Sequence, residues 1–301
     1  MAGYLVTTFN DQQPGIFQYL SKGNDAFHYQ PLNGGKPILK SDILTGGSRD
    51  PFLFASPDHK AFWILATDLD ISKTSWLESQ KYGSRSIIAW SSTDMIHWTK
   101  AKAFQVEGPE AGFVWAPSVI QENDRYTLFW SSRIYEKSDI KHEKAPLYTT
   151  IRYTTTKDFI TFDPPKNYIE PSKYSKIDQE FLALEGGEYL RFLKDESRNF
   201  ITTEKSKGGL FGQWTQVGSS ISEREGPLAF LDNKDSSLVH LWADRFGGPQ
   251  GYGYDSYESH DPINGNFKPT TGQTISPNGL RHGTVTPLTE EEYKRLSTTL
   301  K

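Results

Sequence analysis

Two stretches of this chain repeat one pattern in nearly the same letters. Ser91-Ser92-Thr93-Asp94-Met95-Ile96-His97-Trp98 and Thr154-Thr155-Thr156-Lys157-Asp158-Phe159-Ile160-Thr161-Phe162 each run from a polar turn into an aromatic ring. Looser copies end at Tyr29, Trp214 and Phe267. Ahead of each complete copy stands a strand, a tight turn and a second strand, as in Phe52-Leu53-Phe54, Ser56-Pro57-Asp58-His59 and Phe62-Trp63-Ile64-Leu65-Ala66. The hairpin recurs at Ser118 to Trp130, at Phe181 to Phe192 around Gly186-Gly187, and at Leu228 to Trp242. A unit repeating at roughly 45 to 70 residues, each copy four short strands, predicts an all-β, five-bladed β-propeller. A β-sandwich shares the strand grammar but seldom this repeat.

Only four complete units lie between Asp50 and Thr270. The fifth is predicted to be shared by the two ends, with Arg281 to Leu288 as inner strand and Tyr4 to Tyr29 as outer strands, closing the ring and pairing edges an open array would expose. No Pro/Gly/Ser-rich linker divides the chain, so residues 1–301 are read as a single catalytic domain. Glu290 to Leu296 is the one stretch with helical character. Segments Asp68–Gly83 and Tyr135–Pro146 are insertions expected to shape the rim of a pocket.

Composition narrows the chemistry. A net charge of −4 without a basic cluster offers no footprint for nucleic acid or an anionic membrane. Aromatic residues make up 14%, with eight tryptophans, which suits stacking on sugar rings as well as core packing. There is no cysteine, hence no disulfide framework or thiolate metal site. Tyr4 to Phe9 reads as a strand rather than a signal peptide, so the expected location is cytoplasmic if the chain is complete and secreted if a leader was removed. No phosphate-cradling loop, dinucleotide fingerprint or Gly-x-Ser-x-Gly elbow occurs.

Three carboxylates sit where units restart: Asp50 in Arg49-Asp50-Pro51, Asp178 in Ile177-Asp178-Gln179, and Glu225 in Glu225-Gly226-Pro227. With Trp115-Ala116-Pro117 and Arg281-His282-Gly283, in that order, these motifs resemble glycoside hydrolase family 43 over essentially the whole chain. The resemblance implies a propeller that hydrolyses arabinosyl, xylosyl or galactosyl bonds with inversion. It implies Asp50 as general base, Asp178 as the residue that tunes and orients the acid, and Glu225 as general acid. Inversion needs a protonated carboxyl on the leaving oxygen and a carboxylate about 6.5–9.5 Å away to activate water, a task for carboxyls whose pKa values are driven apart.

The resemblance further implies a carbohydrate partner, an arabino- or xylo-oligosaccharide, contacted by Arg49, Trp115, Ser118, Arg245, Arg281 and His282. Ser118 stands where many relatives carry a carboxylate, and Gln179 where many have proline. His282 is expected near the propeller axis, where relatives often hold calcium. Calcium prefers oxygen ligands and this chain has no Asp-rich loop, so no cofactor is required and a bound calcium would be structural. Taken locally, Asp50 is a turn cap before proline, Glu225 part of a charged turn in which Glu223 is the rival acid, and Trp115 a core ring. The activity implied is an exo-acting α-L-arabinofuranosidase. β-D-Xylosidase and β-D-galactofuranosidase are its neighbours, and a non-catalytic carbohydrate-binding propeller is the alternative of another class. A retaining fructosidase lacks its Asn-Asp-Pro motif here, since Asn10-Asp11 is followed by Gln12.

Overall fold

The computed structural model describes residues 1–139, 141–144, 148–247, 249 and 251–300. The chain opens with β1 (Gly3–Phe9), β2 (Ile16–Ser21) and β3 (Tyr29–Pro31). Four complete sets of strands follow. The first comprises β4 (Arg49–Ala55), β5 (Phe62–Thr67), β6 (Ser86–Ser92) and β7 (Lys102–Gln105). The second comprises β8 (Trp115–Glu122), β9 (Arg125–Ser132), β10 (Thr150–Thr156) and β11 (Lys166–Asn167). The third holds β12 (Lys176–Ala183), β13 (Tyr189–Asp195), β14 (Phe200–Ser206) and β15 (Thr215–Ser222), and the fourth β16 (Glu225–Leu231), β17 (Val239–Asp244), β18 (Tyr254–Ser259) and β19 (Lys268–Pro269). A last strand, β20 (Thr284–Leu288), pairs antiparallel with β1 from Gly3↔Leu288 to Thr7↔Thr284. The five sheets each have four strands, and the fifth runs β20-β1-β2-β3. This is the five-bladed β-propeller the repeat predicts, with one blade built from both chain ends.

The chain divides into two compact units. One comprises Phe9–Phe17 and Pro37–Asp178, and in it the blades β4–β7 and β8–β11 pack through Leu65, Ile87, Val119, Trp130 and Phe159. The other comprises Met1–Thr8, Gln18–Lys36 and Gln179–Lys301. Its blade β16–β19 packs on one side against β12–β15 through Phe192, Leu190 and Leu241. On the other side Trp242 and Phe230 meet Tyr4, Val6 and Tyr29. Burying side chains between blades is what makes an isolated blade unstable and the array stable.

The repeated polar turn is a hydrogen-bonded device. Ser92 Oγ accepts the N–H groups of Asp94 and Met95, and Asp94 Oδ1 accepts those of Ile96 and His97. Thr156 and Asp158 do the same for Phe159, Ile160 and Thr161. The turn forces Met95 and Phe159 to φ 61° and 54°, and this aims both side chains into the core.

Two expectations need correction. The inner strand of the fifth blade begins at Thr284, not Arg281, because Arg281 and His282 turn their N–H groups to Thr8 Oγ1 and Asp244. A second helix exists beside α2 (Glu290–Thr299): α1 (Trp76–Tyr82), capped by Ser75, whose Oγ accepts the Glu78 N–H. Its apolar residues Trp76 and Leu77 face solvent, so α1 carries none of the amphipathic spacing that marks a helix.

Candidate active site

Four inner strands open on the same irregularity. Asp50, Ala116, Asp178 and Gly226 all lie in the left-handed region, at φ 46°, 49°, 51° and 47°. In β4, β8 and β16 the ladder shifts register across this residue, the signature of a bulge that redirects side chains. Proline follows at 51, 117 and 227, where the bulge demands no ladder N–H. The left-handed region costs a residue with a Cβ about 1–2 kcal/mol. Two of the three candidate carboxylates therefore occupy a strained slot, while Glu225 immediately precedes one.

In the first of the two units, Thr67 Oγ donates to Asp50 Oδ2 at 2.9 Å and accepts the Ala116 N–H at 2.7 Å. Arg49 pairs with Asp11, and its guanidinium lies 4.3 Å from the centroid of Phe9 and 5.3 Å from that of Trp76. Trp115 stacks on Phe113 at 4.1 Å and meets Trp76 edge-on at 6.0 Å. Trp76 is 51% exposed, so this aromatic cluster beside Arg49 presents an open ring. Asp178 donates its N–H to Ser131 Oγ at 3.2 Å. The structure brings Arg49 and Trp115 together through Trp76. Ser118 is different: it is buried opposite Phe129 in the sheet, which leaves it no exposed face for a sugar.

In the other unit, Arg281 Nε donates to both oxygens of buried Asp244, at 2.9 and 3.2 Å, and Nη2 reaches Glu225 Oε1 at 3.5 Å. Asp244 also accepts the N–H groups of Phe246 and His282. The Arg281 charge is thus largely answered by Asp244 before it reaches Glu225. His282 packs its ring against Gly226, the residue after Glu225. Arg245 serves its own loop, bonding Asn278, the Tyr252 carbonyl and Asp255, so its expected sugar contact gains no support from its geometry. Glu223, the rival acid, is exposed and caps the turn with its N–H on the Asn199 carbonyl. The rest of the Tyr135–Pro146 insertion aside, its residues 140, 145 and 146 lie outside the described ones.

Sequence reasoning missed Thr67, Ser131, Asp244 and Asp11. The signal available was weak: a hydroxyl or carboxylate near the end of the second strand of a repeat. It also passed over Glu180 on β12, whose carboxyl desolvation pushes well above its ordinary value. Near His282 the oxygens of Asp244 are engaged by Arg281 and by N–H donors. Among the described residues, no three His, Cys, Asp or Glu side chains converge as metal ligands.

Comparison with known proteins assigns the class. Residues 1–294 match the glycoside hydrolase family 43-related family, described as a probable glycosyl hydrolase domain. The chain belongs to that family. Over 235 residues it is 33% identical to an alpha-L-arabinofuranosidase of Bifidobacterium longum subsp. longum, which covers 73% of this chain but 21% of that protein. The chain thus spans about a fifth of that relative's length. Among solved structures, a thermostable family-43 glycoside hydrolase matches 82% of each chain at 16% identity and TM-score 0.56. The alpha-L-arabinanase of Penicillium chrysogenum, complexed with arabinobiose, covers 89% of this chain and is covered over 79% of its own, at 14% identity and TM-score 0.56. At such identities these two likenesses speak for the fold.

Proposed function

We propose that this chain is an inverting exo-glycoside hydrolase that releases terminal α-L-arabinofuranosyl residues from oligosaccharides or side chains. Asp50 is the general base that takes a proton from water, Glu225 the acid that protonates the leaving oxygen, and Asp178 the carboxylate that keeps Glu225 protonated and oriented. The observation that carries this reading is the strained slot. Asp50 and Asp178 hold left-handed backbone where Gly226 needs none of that strain, and strain of this kind accumulates at functional sites. The sugar assignment leans on the Bifidobacterium relative's name. Arg49, Trp115 and the open face of Trp76 supply the stacking and polar contacts that a pentose requires.

The test is hydrolysis of 4-nitrophenyl α-L-arabinofuranoside, β-D-xyloside and β-D-galactofuranoside by the chain and its variants. Glu225→Gln and Asp50→Asn should each lower kcat by about 10²–10⁴-fold, the range that acid–base groups supply. Glu180→Gln, on the same strand as Asp178, should retain activity. Proton NMR of the first-formed anomer should show inversion. Full activity in either catalytic variant, or retention of configuration, would sink the assignment. Binding of arabino-oligosaccharides with no hydrolysis of any glycoside would favour the non-catalytic propeller.

A further inference from the structure

The three residues that stand opposite the openings of the inner strands share one behaviour. Thr67 is the pairing partner of Arg49, Ser131 of Trp115 and Asp244 of Glu225. Each lies on the second strand of its blade and is buried. Each accepts an N–H from the opening of the next inner strand: Ala116 to Thr67, Asp178 to Ser131, His282 to Asp244. A second strand of the third blade makes a related contact, with Lys194 Nζ donating to the Arg224 carbonyl at 2.6 Å. The openings are therefore held by the blade before them as well as by their own ladder.

At Thr67 the clasp reaches a catalytic candidate directly. A hydroxyl has one proton to give, and its lone pairs accept. The Ala116 N–H occupies the accepting side of Thr67 Oγ, so the hydroxyl proton is left to point at Asp50 Oδ2. With Thr67 1% exposed, no water competes for that proton. Asp50, on a bulge with strained backbone, needs such an anchor to hold one carboxylate oxygen while the other is turned to its task. We infer that Thr67 is the positioning residue of the general base, relaying the fixed backbone of the second blade to the Asp50 carboxylate. This inference rests on the base role proposed above for Asp50.

The experiment compares Thr67→Val, Thr67→Ala and Thr67→Ser with the parent chain on the glycoside it hydrolyses, with Asp50→Asn alongside. Loss of the single hydroxyl in Thr67→Val should lower kcat about 10–100-fold with KM within twofold, because the substrate wall is untouched and only base geometry is lost. Thr67→Ser keeps the hydroxyl and should recover kcat to within about threefold. Should the valine methyl crowd the Ala116 amide and prevent folding, Thr67→Ala carries the same test without that bulk. Wild-type kcat in Thr67→Ala, or a rise in KM with kcat unchanged, would overturn the inference. So would a loss that serine does not recover. An inactive Asp50→Asn with a fully active Thr67→Ala overturns the positioning role alone, whereas an active Asp50→Asn overturns the base assignment beneath it.

Discussion

Gly226 and Ala116 occupy the same bulge slot in two blades, yet exchanging their identities should have unequal consequences. At Gly226 φ is 47°, and an added Cβ would lie 2.7 Å from Cγ and 2.9 Å from Cβ of His282. Carbon contacts are comfortable at about 3.5–4.0 Å, so the ring or the strand must move. Overpacking of this size costs about 1–3 kcal/mol. An alanine in the left-handed region costs about 1–2 kcal/mol more. The reduced freedom of the unfolded chain returns only about 0.4–1 kcal/mol. Gly226→Ala should therefore destabilise the fold by about 2–4 kcal/mol, a fall in Tm of about 4–8 °C by calorimetry. Because His282 bonds Asp244, and Asp244 holds Arg281 beside Glu225, kcat should fall by about 10–100-fold as well. The reverse change, Ala116→Gly, relieves about 1–2 kcal/mol of strain. Against that stand about 0.5–1 kcal/mol of glycine entropy and about 0.8 kcal/mol for the buried methyl, so Tm should hardly move. Equal Tm values for the two variants would refute the argument that the left-handed slot and the His282 contact together set the cost.

Asp244→Asn removes the charge that compensates Arg281, with both side chains nearly buried. The guanidinium left behind should cost about 3–5 kcal/mol, read as a lower urea midpoint, and a loss below about 1 kcal/mol would show that the pair is dispensable. Acid should act through the turn aspartates. Burial alone would raise Asp94, but bonds from the His97 ring, the N–H groups of His97 and Ile96, and the Ser92 hydroxyl hold it well below the usual carboxylate range. Asp25 and Asp232 are lowered in the same way, burial being outweighed by bonds to Phe27 and His28 and to His240 and Lys234. A lowered folded value stabilises above the unfolded pKa of about 3.9 and is lost as pH falls through the folded one, so Tm should be flat from about pH 7 to 5 and decline below about pH 4. Asp94→Asn should shallow that decline, and an unchanged acid slope would exclude the turn as its source.

What was legible in the letters was whatever repeats locally. Strand openings at Arg49, Trp115 and Glu225 could be read because a strand alternates, a bulge tolerates proline and a polar turn ends on a ring. The shared blade followed from counting units. Long-range chemistry was not legible. Thr67 and Ala116 are separated by 49 positions, and no local pattern announces that one will cap the other. The same blindness hid the partners of Arg245 and of Asp244 one position before it: both are a charge at a turn until the partners are seen. The burial of Ser118 and the helix α1 were hidden for the reverse reason, since a small polar residue inside a sheet and an exposed apolar pair on a two-turn insert both run against average burial.

The repeat also explains why the candidate residues are unlike one another. Four inner strands offer two adjacent positions of fixed geometry, the residue before the left-handed one and the left-handed residue itself, and the blades fill them as Arg49-Asp50, Trp115-Ala116, Ile177-Asp178 and Glu225-Gly226. A carboxylate in the bulge is tied to the strained backbone and, at Asp50, to a hydroxyl from the neighbouring strand. A carboxylate before the bulge, as at Glu225, sits on ordinary strand backbone with a glycine beside it and a partly exposed side chain. A base that must hold one position suits the first place, and an acid that must follow a departing oxygen suits the second. On this argument Asp50 and Glu225, in the base and acid roles proposed for them, cannot be swapped between their two positions, even though both are carboxylates at the opening of a blade.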